Sequence, residues 1–210
     1  MKRFLTILTS VIALAFVFTS CEETEEFNEF SNWKERNDNF IDSIANAVAN
    51  YSAEPIAPYD AEKGDMFRIL SFKLDPKKEW GDSRYVYCKV VEKGEGTFSP
   101  CFTDSIRINY RARLIPSANY PMGYIADQSF KTPELNPTIN SPVAFKVSSL
   151  IDGMASALQY MRVGDIWRIY IPYSIGYGSD KVSDIPAYST LVYDVNLTEI
   201  AKTGTSLSPR

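Results

Sequence analysis

One short helical pattern set among strand patterns constrains this chain most, and it lies within residues 143–197. Val143, Phe145 and Val147 alternate with small or polar residues, the period of two that marks a half-buried strand. From Ile151 the spacing lengthens. Ile151, Met154, Ala155, Leu158 and Met161 recur at three and four, which puts them on one face of a short helix, and Gly164 stands where such a helix is expected to stop. Trp167, Ile169 and Ile171 return to alternation as far as Pro172, and Leu191, Tyr193, Val195 and Leu197 repeat it after a loop from Tyr173 to Ser189. One helix among several amphipathic strands predicts an α+β fold, with a strongly bent antiparallel sheet around that helix.

The strand signal extends upstream. Ile106, Ile108, Tyr110, Ala112 and Leu114 point one way, while Arg107, Asn109, Arg111 and Arg113 point the other. With no further basic residues beside them, the three arginines read as a solvated sheet face and not as a nucleic-acid surface. Val86, Cys88 and Val90 form another strand face, leading into the turn Gly94-Glu95-Gly96. Residues 66–74 alternate as a further strand, with Leu70, Phe72 and Leu74 on one side, followed by turns at Asp75-Pro76-Lys77-Lys78 and Gly81-Asp82. Before these, Trp33, Phe40, Ile41, Ile44, Ala45, Val48 and Tyr51 share one face of an N-terminal helix. Asn32 is placed to cap it, with Glu35 in capping-box position, and Pro55 and Pro58 prevent its restarting. So apolar a face must be covered, either by the chain's own sheet or by a second copy in a helix–helix homodimer.

At the start, Lys2 and Arg3 precede an apolar run from Phe4 to Phe18 broken only by Thr6, Thr9 and Ser10. That length suits a secretory signal and falls short of the roughly 20 residues a spanning helix needs. The chain carries a formal charge of −4, and losing Lys2 and Arg3 with a signal would leave it more acidic, a poor partner for nucleic acid. It has no histidine and three cysteines. The absence of imidazole excludes Ser-His-Asp and Cys-His nucleophile systems and histidine metal sites, so no metal and no cofactor is expected. Cys88 and Cys101 either form a disulfide, worth about 2–4 kcal/mol outside the cytoplasm, or remain one buried and one exposed thiol.

Four words in order carry a family resemblance: Met161-Arg162-Val163-Gly164, Ile171-Pro172, Gly176-Tyr177-Gly178-Ser179, and Ile185-Pro186 running on through Ser189-Thr190-Leu191-Val192-Tyr193-Asp194-Val195. Together they resemble the C-terminal half of the FKBP-type peptidyl-prolyl isomerases, and the likeness runs from about Tyr85 to Ile200. It implies catalytic roles for Tyr110, for Asp127 at the end of Gly123-Tyr124-Ile125-Ala126-Asp127, for the backbone N–H of Ile151, and for Tyr177. It implies that Val143, Phe145, Leu150, Met154, Ile185 and Tyr193 line the substrate pocket. Ala126, Val143 and Met154 stand where the family carries aromatic side chains, with Tyr120 and Tyr124 as candidate replacements for the missing wall.

Phe18-Thr19-Ser20-Cys21 resembles a bacterial lipoprotein signal, which makes Cys21 the lipidated first residue of the mature protein; an ordinary signal peptide with a chance cysteine is the alternative. Glu22-Glu23-Thr24-Glu25-Glu26 reads as a solvated tether, and it also resembles the export tag of surface-exposed lipoproteins in Bacteroidetes. The expected organisation is a signal peptide (1–20), an acidic tether (21–30), a helix-and-strand extension (31–84), an FKBP-like domain (85–202) and a tail (203–210). The expected function is a prolyl isomerase or folding helper of reduced activity, acting on proline-containing polypeptides. It would be lipid-anchored in the outer membrane, facing the periplasm or the cell surface. The alternative is a non-catalytic binding or structural lipoprotein on the same fold.

Overall fold

The computed structural model describes residues 28–209. The signal peptide, Cys21 and most of the acidic tether fall on residues outside that range. In chain order the described residues form α1 (Trp33–Ala49), β1 (Met66–Leu70), β2 (Tyr85–Glu92), β3 (Ser105–Arg113), β4 (Ile125–Gln128), β5 (Val143–Lys146), α2 (Asp152–Leu158), β6 (Ile166–Ile171) and β7 (Leu191–Ala201). The strands make one seven-stranded sheet in the order β1-β2-β6-β7-β3-β4, with β5 also on β3. Every pairing is antiparallel. The far side of β3 is shared, its start taken by β5 and its end by β4. This is the α+β arrangement expected from the pattern of residues 143–197.

The helix α2 is buried over Gly153–Leu158 and packs with Val86, Val90, Ile106, Ile169 and Leu197 in the main core. A Cβ at Gly153 would come within 2.4 Å of Ile171 Cγ2, so glycine there sets how closely the helix lies on β6. The helix is shorter than its apolar spacing predicts. Ile151 is its N-cap, and Met161 is fully buried in the turn beyond its end. Gly164 does adopt positive φ, but in the turn leading into β6, where it crosses Gly94 too closely for a side chain on either residue.

β1 ends at Leu70, and its buried side chains are Phe67 and Ile69. The strand expected over 66–74, with Leu70, Phe72 and Leu74 on one side, is therefore too long: Phe72 and Leu74 fall beyond its end, and the side it buries is the one carrying Phe67 and Ile69. Phe67 meets Trp167 edge-on at 5.1 Å, while Ser156 Oγ accepts the Phe72 N–H at 3.1 Å and draws the chain out of the strand. β1 pairs along its whole length with β2, so the extension before residue 85 shares the sheet of the domain that follows.

The arginine face of β3 is not solvated. Arg111 is 5% exposed and Asn109 fully buried. Arg111 donates to the carbonyls of Pro133 and Thr132 and, at 2.9 Å, to Gln128 Oε1, and it stacks on Phe130 at 4.4 Å. Arg113 pairs with Asp194 at 2.7 Å, and Arg107 pairs with Glu199. The segment after β4 folds over this face, which a period-two pattern cannot register because the covering residues are not themselves periodic.

α1 spans the length expected, but Asn32 does not cap it through its side chain: Asn32 sits at φ 51° and makes no such bond. Its carbonyl accepts the Arg36 N–H, and the Trp33 N–H goes to the Phe30 carbonyl. The helix lies on the chain's own sheet. Ile41 and Ala45 bury against Tyr87, with Tyr85 and Tyr170 packed around them. Trp33 Nε1 donates to Ser189 Oγ at 2.9 Å, and the buried Asn37 links two elements, donating to the Trp33 carbonyl and accepting the Thr190 N–H, each at 2.7 Å. Cys88 is a free buried thiol and Cys101 a free exposed one, so no disulfide joins them. Burial pushes the Cys88 thiol pKa up.

Candidate active site

β3 carries Ile108 and Tyr110 onto the inner surface of the sheet, beside Tyr193 of β7 and Phe145 of β5. With Asp127 of β4, Ser149, Leu150 and Ile151 at the approach to α2, Met154 of α2, and Tyr177 of the loop before β7, these residues line a cleft of about 370 Å³. That is within the range of small-ligand sites. The Tyr110 ring lies 5.8 Å from Phe145 and 6.4 Å from Tyr193. Met154, 3% exposed, forms part of the floor.

The polar groups are few and oriented. Tyr110 Oη donates to Asp127 Oδ2 at 2.8 Å, and the other carboxylate oxygen accepts the Gln128 N–H at 2.8 Å. The Asp127 carboxylate is thus held by β3 on one side and by its own strand on the other. Burial raises the pKa of Tyr110, with the bond to Asp127 adding to the effect. Burial raises Tyr193 and Tyr177 as well, and the Asp127 charge contributes to both. The three hydroxyls keep their protons at neutral pH; that of Tyr110 is committed to Asp127, which leaves Tyr177 and Tyr193 as the cleft's donors.

Of the residues singled out from the sequence, the structure brings together Tyr110, Asp127, Phe145, Leu150, Ile151, Met154, Tyr177 and Tyr193. Val143 and Ile185 are not among the residues lining this cleft. Val143 opens β5 and is 37% exposed, and Ile185 is buried in the core. Ala126 packs half-buried against the core and does not line the cleft. It is the extra residue of a bulge: Asp127 faces Ala112, Ile125 faces Arg113, and Ala126 has no partner. Tyr120 and Tyr124 do not replace the missing wall. They meet edge-on at 5.1 Å and line a neighbouring cavity instead. Ile108 and Ser149 are cleft residues that sequence reading missed. Ile108 was detectable, since it lies two positions before Tyr110 on the same strand face. Among the described residues no three His, Cys, Asp or Glu side chains come together in a way that would hold a metal ion.

A bent antiparallel sheet gripping one helix, with an aromatic cleft where the two meet, defines an FKBP-like domain. Residues 99–198 match the family model for the FKBP-type peptidyl-prolyl cis-trans isomerases, and that part of the chain belongs to this family. It is 35% identical over 113 residues to the FKBP-type 22 kDa peptidyl-prolyl cis-trans isomerase of Escherichia coli K12, covering 53% of this chain and 48% of that protein. It is 33% identical over 115 residues to the peptidyl-prolyl cis-trans isomerase Mip of Coxiella burnetii, covering 54% and 44% respectively. The chain thus spans about half the length of these relatives. Among solved structures, a peptidyl-prolyl cis-trans isomerase from Pseudomonas syringae superposes with a TM-score of 0.53 at 21% identity, over 84% of this chain and 98% of that one, a likeness of fold.

Proposed function

We propose that this protein catalyses cis–trans isomerisation of X–Pro bonds in polypeptides, and that the Tyr110–Asp127 pair inside the aromatic cleft is its centre. The observation carrying this reading is that cleft, with the Tyr110 hydroxyl and the Asp127 carboxylate held by each other and by the Gln128 N–H, lying within the segment matched by the family. Rotation about a prolyl amide must cross a barrier of about 18–20 kcal/mol because resonance is lost as the bond twists. The reaction needs neither a nucleophile nor a proton transfer. It needs a site that binds the twisted amide better than the planar one. Phe145, Tyr193 and Met154 supply an apolar bed for the proline ring. A dry bed favours the twisted amide, whose charge separation is smaller than that of the planar form. Tyr177 Oη and the Ile151 N–H are the donors to the flanking carbonyls.

Met154 stands in the floor and neither Ala126 nor Val143 lines the cleft, so fewer aromatic rings enclose the bed than in a site walled by them. The expected turnover is therefore low. A prolyl-peptide assay on wild type and Asp127→Ala tests the proposal: measurable turnover falling at least tenfold in the variant supports it. A wild type that binds proline peptides without turning them over would establish the non-catalytic binding lipoprotein instead.

The proposed setting is the cell envelope, with lipid on Cys21 as the membrane anchor and the glutamates after it as a tether of the Bacteroidetes kind. It rests on the sequence of residues 1–26. Cys21→Ala should release the protein from the membrane fraction, and retention there with unchanged processing would overturn the anchor. The α1 face that prompted the homodimer arrangement is covered by the chain's own sheet, so a dimer would have to use the outer side of α1.

A further inference from the structure

Next to the proline cleft lies a larger one, of about 620 Å³, lined mainly by carbon. Its walls come from three places far apart in sequence: Phe30 before α1, Tyr120 and Tyr124 before β4, and Pro186 and Ala187 before β7. These walls are held together. Asn119 donates to the Glu29 carboxylate, Arg36 donates to the Glu29 carbonyl at 2.8 Å and the Pro116 carbonyl at 3.4 Å, and Tyr124 Oη donates to Asp184 at 3.4 Å. Phe30 is braced edge-on by Trp33 at 5.0 Å. Phe30 and Tyr120 nevertheless remain 40% and 43% exposed, so aromatic faces held in fixed positions stay open to solvent.

The two clefts are joined by β4. Tyr124, just before the strand, lines the second, and Asp127 lines the first. At about 3.3 Å per residue this separates them by about 10 Å of extended chain. β4 is the last strand of the sheet, and among the described residues its outer edge pairs with nothing. The bulge at Ala126 turns the two ends of the strand away from regular alternation, and Ile125, 41% exposed, lies between them. An extended polypeptide seated in the proline cleft and following this edge would find unpaired backbone groups along the way and an aromatic cleft about three residues on.

Building on the isomerase reading, we propose that the Phe30–Tyr120–Tyr124 cleft is a second subsite for the same polypeptide, selecting a large apolar or aromatic side chain about three residues from the proline. The preferred substrates are then unfolded segments in which a proline lies near a bulky apolar residue, not isolated prolyl bonds.

Fluorescence anisotropy on labelled peptides tests this without requiring turnover. Peptides with one proline and a Phe two, three or four residues to either side are compared with the matching Ala peptides, on wild type and on Tyr120→Ala/Tyr124→Ala. An aromatic contact of this kind is worth about fivefold to tenfold in affinity. The expected result is a Phe/Ala affinity ratio in that range in wild type, at a spacing near three, falling to about one in the double variant. Because the ratio is the readout, a general loss of stability in the variant does not imitate it, and Tyr120→Phe, which keeps the ring, should retain it. A wild-type ratio near one, or a ratio unchanged in the double variant, overturns the subsite. A cleft filled by a second copy of the chain would show concentration-dependent mass with no discrimination between peptides, which also overturns it. If the ratio behaves as expected but no peptide is isomerised, the subsite stands and the isomerase reading falls.

Discussion

Two pairs of tyrosines on neighbouring strands are used in opposite ways. Tyr87 of β2 sits across from Tyr170 of β6, and α1 lies over both, with Ile41 and Ala45 against Tyr87 and Phe40 6.2 Å from the Tyr170 ring. Tyr110 of β3 and Tyr193 of β7 lie 6.4 Å apart with no helix over Tyr110, which faces the cleft with Asp127. Burial raises all four phenol pKa values. Their partners differ: Tyr87 donates to the Asp82 carbonyl at 2.9 Å, Tyr110 to a carboxylate at the mouth of a cavity. What separates Tyr110 from Tyr87 is the cover above it, not the strand beneath it: α1 seals Tyr87, while Tyr110 stays part-exposed at the cleft.

Removing the cover should have the largest effect. Trp33→Ala deletes a buried indole and its bond to Ser189, and is expected to cost about 3–5 kcal/mol, measured by urea unfolding. A loss below about 1 kcal/mol would mean that α1 is a loose attachment and that the contrast between the two tyrosine pairs is overstated. A smaller effect, and on a different quantity, is expected from Tyr110→Phe. The ring and its packing remain, so stability should fall by no more than about 0.5–1.5 kcal/mol, while turnover of a prolyl peptide should drop several-fold as Asp127 loses its bond from β3. The matching Tyr87→Phe should leave turnover unchanged; if it lowers turnover as much, the two pairs are not functionally distinct.

The smallest effect at ordinary pH is one both pairs share. A phenol whose folded pKa lies above its unfolded value of about 10 contributes stability that is fully present below pH 10 and is lost as pH rises toward the folded value. Thermal melts should therefore be flat from about pH 7 to 9 and decline above about pH 10. In Tyr87→Phe and Tyr193→Phe that decline should be shallower, and an unaltered slope in both would show that these phenols do not couple folding to pH.

The core-facing sides of β2, β3, β6 and β7 were legible because their apolar residues recur every second position, so alternation in the sequence maps onto the main core even where the other side is covered too. The cleft residues supplied by those strands and by the approach to α2 were legible for the same reason, helped by the loop word around Tyr177. The cover was less so. Asn37 is a polar residue in mid-helix with nothing local to mark it as the link to Thr190, 153 positions away. Phe130 and the carbonyls of Thr132 and Pro133 enclose Arg111 from a segment without periodicity. The bulge that removes Ala126 from the wall is a property of strand pairing, and Ala126 itself carries no sign of it. Periodicity reports which side of an element is buried, and it is silent on which distant segment buries the other side.

β7 is the last strand in the chain and yet it lies between β6 and β3, with the anchors for α1, Ser189 and Thr190, immediately before it. During synthesis, then, α1 can meet β2 early through Tyr87, but its bonds to Ser189 and Thr190 form only when almost the whole chain has been made, and β3 waits equally long for β7. Contacts this distant in sequence slow folding and leave a partly made chain with unpaired strand edges exposed. The sheet therefore closes at its centre only once the carboxyl end has been made.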